Sequence, residues 1–175
     1  MIAGQEWGRV LKMRIVQNIL LIILALFIQT SWTHPISIVG FSPDLVLLIL
    51  VYIGITGGQI EATVFGFCSG FLIDIYAPET LGINALANAV VGFAVGFSRV
   101  GVVAEDLQVQ TLILLLATLL HDLIFFTFYS ISDPLNIFFL LARHGLGTAV
   151  YTTLLGLGIS VFMVRIFNKR ILPHA

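Results

Sequence analysis

Asp74, His121, Asp122, Arg143 and His144 are titratable side chains set inside long apolar runs. Their types suit several kinds of chemistry. Two carboxylates and a guanidinium suit a paired network, because the planar fork of Arg143 could satisfy two oxygens of Asp74 or Asp122 at once. A histidine beside a carboxylate suits proton relay, which would require a water path. His121, Asp122 and His144 could offer metal ligands, but no sequential metal-binding spacing is present. His121 and Asp122 are adjacent, so on a helix they diverge by about 100° and do not form a dyad by themselves. A single cysteine, Cys68, excludes an internal disulfide and a cysteine metal cluster. The chain has no phosphate-cradling Gly-Lys-Ser/Thr loop, no His-Glu-x-x-His helix and no Gly-x-Ser-x-Gly elbow. The expectation is therefore no enzyme, no metal and no cofactor.

The elements that position these groups follow from composition. Of the 175 residues, 59% are hydrophobic and 10% charged, against roughly 25% charged in a soluble domain. Too few polar residues exist to cover a water-exposed surface, and the abundance of Phe suits a lipid-facing one. No basic patch exists beyond the two ends of the chain, so nucleic acid is not an expected partner. The chain reads as an integral membrane protein, a single all-α transmembrane bundle over residues 1–175.

A spanning helix needs about 20 mostly apolar residues. Runs of this kind are expected at approximately 15–32, 43–57, 62–76, 83–97, 109–129 and 137–164. Turn chemistry separates them: His34-Pro35, Ser42-Pro43-Asp44, Gly57-Gly58, Ala77-Pro78 and Asp133-Pro134. Six spans result, or five if the third and fourth fuse into a re-entrant pair. The second, third and fourth runs are short, so they cross only with interfacial flanks or local thinning. With six crossings, Arg9, Lys12, Arg14, Arg99, Arg165, Lys169 and Arg170 all fall on one side. The positive-inside rule makes that side cytoplasmic, with both termini there. The opposite loops carry His34, Asp44, Glu79 and Asp133, with Trp32 and Tyr129 at interfacial positions. The basic start and apolar first run lack a small-x-small cleavage pattern and read as an uncleaved anchor.

This topology brings Asp74, His121, Asp122, Arg143 and His144 to a similar depth in the outer half of the membrane. One reading is an internal polar clasp that fixes helix register. The other is a polar cavity open to the outer leaflet, able to receive a partner's polar group or a lipid headgroup. Small residues recur every four positions: Gly66/Gly70, Ala85/Ala89, Gly92/Gly96, Gly145/Ala149 and Gly156/Ser160. Such stripes leave flat faces for close helix approach, either within the bundle or against a partner helix.

The order of these features resembles one family. A basic start and first anchor precede Ser42-Pro43-Asp44-Leu45, which opens a run containing Val51-Tyr52. Gly66-Phe67, Gly70-Phe71-Leu72 and Asp74 follow, and then Gly82 with Ala85-Leu86. This is similar to the MreD family of bacterial rod shape-determining membrane proteins over nearly the full length. Pro43, Asp44, Gly66, Gly70, Asp74 and Gly82 match its pattern. The resemblance implies a non-enzymatic scaffold of the cell-elongation machinery in the bacterial inner membrane. It implies binding to MreC and, indirectly, work with MreB, RodA and a class B penicillin-binding protein in peptidoglycan synthesis. It also implies a fold like the substrate-binding subunits of energy-coupling-factor transporters. The alternative function is such a transporter subunit, using the outer polar cluster as a ligand site.

Overall fold

The structure is a computed structural model that describes residues 2–31, 42–98, 106–130 and 134–171. Trp32, placed at the interface by the sequence, and His34, Arg99 and Asp133, placed in loops, lie outside the described residues. Among the described residues the fold is all α-helical. The helices are α1 (Ile2–Ser31), α2 (Leu45–Gly57), α3 (Gln59–Tyr76), α4 (Ile83–Ser98), α5 (Leu107–Tyr129), α6 (Pro134–Leu140) and α7 (Leu146–Ile171). A 3-10 turn, Pro78–Thr80, links α3 to α4, and a π turn, Leu141–Gly145, joins α6 to α7 in one continuous helical rod.

Contacts fix the direction of each helix. Arg14 of α1 meets Glu61 at the start of α3, while Gln29 meets Val46 at the start of α2. Gly57, at the other end of α2, faces Glu61. Asp74, late in α3, meets Asn84 at the start of α4, and Gly96, late in α4, meets Gln59. Gly145 faces Asp122 and Gly156 faces Leu114, so α5 and α7 are antiparallel as well. Successive passes therefore alternate between a Glu61 end and an Asp74 end.

The core forms around α2. This helix is apolar on nearly every side, which suits a helix enclosed by others. Its Leu47, Leu50, Val51 and Ile53 pack with Ile22 of α1, Ala62 of α3, Val91 and Val95 of α4, and Leu114 and Ala117 of α5. Asp44 starts α2 by accepting the Leu47 N–H at 2.9 Å, an N-cap that satisfies a donor the helix cannot use internally. The Asp44 N–H donates in turn to Thr152 Oγ1 at 2.9 Å, tying α2 to α7.

Leu11–Ser31, Leu107–Tyr129 and Ile137–Phe162 are long and apolar enough to cross a membrane. The intervening helices are shorter, at 13, 18 and 16 residues. The expected boundaries shift outward for a physical reason. Hydropathy marks what lipid tolerates, whereas a helix runs on until a cap or turn stops it. Hence α1 extends before residue 15, α3 starts at Gln59 directly after Gly58, and the last rod runs from Pro134 to Ile171. Pro43 and Asp44 lie ahead of α2, not inside it.

Candidate functional site

The tightest contact in the bundle is between α3 and α4, and its glycines explain it. A Cβ on Gly66 would run into the backbone carbonyl of Asn88, and one on Gly70 into that of Asn84. On the opposite helix, a Cβ on Gly92 would strike the Ala62 carbonyl and one on Gly96 the Gln59 backbone. Two stripes with a spacing of four residues therefore interlock along the whole hairpin. The faces of Gly66/Gly70 and Gly92/Gly96 are consumed within the chain. Gly145 and Gly156 likewise press on Asp122 and Leu114.

At the end of this zipper sits Asp74, whose side chain is fully buried. Its Oδ2 accepts the N–H groups of Gly82 at 2.9 Å and Ala85 at 3.0 Å. Its Oδ1 accepts the Asn84 N–H at 3.2 Å and the Asn84 Nδ2 at 2.8 Å. Asp74 thereby caps α4 from the preceding helix. The position that would normally provide the cap is Gly82, which has no side chain and turns the chain at φ 91°. The positive end of the α4 dipole adds to the attraction. Each such charge-assisted bond contributes about 1.5–3 kcal/mol. This arrangement explains why a carboxylate survives in an apolar hairpin.

The sequence paired Asp74 or Asp122 with Arg143, and the structure does not. Arg143 is exposed and lies over the Phe139 ring, 5.8 Å from its centre. His144, beside it, is exposed too. Asp122 pairs with its own neighbour: His121 Nδ1 lies 3.1 Å from Asp122 Oδ1. The expected 100° divergence does not keep the two apart: both side chains are largely buried and within hydrogen-bond distance. Asp122 Oδ2 is buried under Gly145 without a hydrogen-bond partner, and so is Thr153 Oγ1. Along α7, Thr152 meets Asp44 while Gly145 meets Asp122. Asp44, Asp74, His121 and Asp122 therefore share one end of the bundle, while Arg143 and His144 are exposed. Among the described residues, no group of His, Cys, Asp and Glu has the geometry to hold a metal.

A second polar cluster, at the opposite end, escaped the sequence reading. Arg14 Nη2 donates to Glu61 Oε2 at 2.6 Å and Asn18 Nδ2 to Glu61 Oε1 at 2.7 Å. Asn18 is almost fully buried on a helix otherwise largely exposed. A signal for it existed. The predicted topology puts Arg14 and Glu61 at the same end, and Asn18 lies one turn from Arg14 on the same face. The buried Asn84 and Asn88, also one turn apart, were passed over as well.

No curated protein and no solved structure matches the chain. A family description, rod shape-determining protein MreD, matches residues 10–171. The match takes in the Gly66–Asp74 stripe, the Gly82 turn and the capped α4 hairpin described above. The chain belongs to the MreD family of rod shape-determining membrane proteins.

Proposed function

We propose that this protein is a non-enzymatic scaffold of the bacterial elongation machinery, binding MreC and thereby supporting peptidoglycan-synthesising complexes. The observation that carries the reading is family membership along residues 10–171. The geometry fits a rigid platform. The α3–α4 zipper and the Asp74 cap rest on backbone contacts, which suit a fixed hairpin. At the Asp74 end, Asp122 Oδ2 and Thr153 Oγ1 retain unused hydrogen-bonding capacity. Both atoms are enclosed within the bundle, so a partner's transmembrane or juxtamembrane segment would meet the outer faces of the helices instead. MreB, RodA and a class B penicillin-binding protein are then indirect partners.

In this reading the chain is one transmembrane domain with six crossings in the inner membrane. The Glu61 end, with Arg9, Lys12 and Arg14, faces the cytoplasm together with both termini. At 1.5 Å per residue, α2 and α4 are about 20 and 24 Å long, against a hydrocarbon core of about 30 Å. The bilayer thins around them or their ends carry polar groups into it, as Asp44 does.

The test is affinity purification of the tagged chain from its own membranes in mild detergent, with co-purifying proteins identified by mass spectrometry. MreC recovered with RodA or a penicillin-binding protein is the expected result. ATPase subunits and a coupling membrane subunit in its place would overturn the scaffold and make the chain a transporter subunit.

A further inference from the structure

An apolar groove of 410 Å³ opens between α5 and the α6–α7 rod, lined by Leu119, Leu120, Leu123, Phe138, Leu141, Ala142 and Leu146. The π turn Leu141–Gly145 supplies Leu141 and Ala142 to the groove's wall, and such turns are often found at functional sites. Arg143 directly follows Ala142 in that turn and stacks on Phe139, next to the groove-lining Phe138. No carboxylate among the described residues pairs with Arg143. Asp122 is engaged by His121, and its remaining oxygen is enclosed beneath Gly145. A guanidinium on the lipid-facing surface of a span is costly without an anion.

We propose that this groove holds an acyl chain of an anionic phospholipid whose phosphate pairs with Arg143. Charge complementarity selects the occupant. Arg recognises a phosphate with two parallel N–H bonds, and the groove beside it on the rod is lined only by aliphatic and aromatic side chains. Its volume lies in the range of small-molecule pockets, about 300–1,000 Å³. A partner helix, about 10 Å across, would need a broader face. The groove lies at the level of His121 and Asp122, and its lipid occupancy is tested on the purified chain, without MreC.

Native mass spectrometry of the purified full chain, loaded separately with phosphatidylglycerol and phosphatidylethanolamine, tests this. The wild type is expected to retain phosphatidylglycerol preferentially. Arg143→Gln should lower that retention about tenfold, the loss of one charge-assisted contact, and Arg143→Lys should restore part of it. Ala142→Trp, which fills the groove and leaves Arg143 in place, should displace the lipid. Equal retention of the two lipids by the wild type overturns the proposal, as does unchanged retention in both Arg143→Gln and Ala142→Trp. A photo-crosslinking residue at Phe138 separates the occupants in native membranes. Lipid adducts support the assignment, and protein adducts in their place overturn it.

Discussion

A buried carboxylate in lipid surroundings demands partners, and at Asp74 those partners are backbone. The sequence identified Asp74 as the unusual residue and Gly82 as part of its motif, yet assigned it a guanidinium. The reason is physical. Reading side chains reveals charges, while the free N–H groups at a helix start belong to the backbone and carry no letter. Only the α3–α4 turn shows that Gly82, Asn84 and Ala85 bring their donors to one point. Asp74→Ala would leave those donors buried and unpaired, at about 1–3 kcal/mol for each group. The expected outcome is loss of membrane-embedded protein, measured as abundance in washed membranes. Asp74→Asn keeps one acceptor but turns an amine towards the remaining N–H groups, so it should fall between wild type and Asp74→Ala. Wild-type abundance in both variants would remove the cap as a source of stability.

At the level of elements, close packing does what apolar burial cannot do in lipid. The i, i+4 stripes were legible because glycine at fixed spacing has few other uses in a span. Their partner was not legible, since a flat face looks the same whether it meets a neighbour or another protein. Backbone approach at Gly66, Gly70, Gly92 and Gly96 decides for the neighbour. Gly70→Leu should force α3 from α4 and cost about 1–3 kcal/mol or more, as overpacking does. Gly158 is the control, because a Cβ there meets nothing within 4 Å. Gly158→Ala should be neutral or slightly stabilising, given the better helix propensity of alanine. Thermal unfolding in detergent, followed by loss of monodispersity, reads both variants. Equal midpoints for Gly70→Leu and wild type would show that the zipper tolerates separation. The π turn had no sequence signal, because a one-residue insertion in a helix leaves composition and hydropathy unchanged.

On the scale of the whole molecule, turn signals were enough to separate the helices. Alternating directions emerge from contacts as distant as Arg14–Glu61 and Asp44–Thr152. The order in which the chain is synthesised gives the Asp74 cap a further meaning. When α3 leaves the ribosome, its carboxylate has no donor, and when α4 follows, its first N–H groups have no acceptor among their own side chains. In the six-crossing reading, the pair is expected to enter the bilayer as one hairpin, with Asp74 at the aqueous rim until residue 85 arrives. We predict that Ile73→Cys, in a Cys68→Ser background, reacts with a water-soluble thiol reagent in chains truncated after Tyr76 and is protected in chains truncated after Ser98. Equal protection in the two would show that α3 inserts alone. Biogenesis of this protein would thus be gated by a single hydrogen-bond acceptor waiting for the helix that completes it.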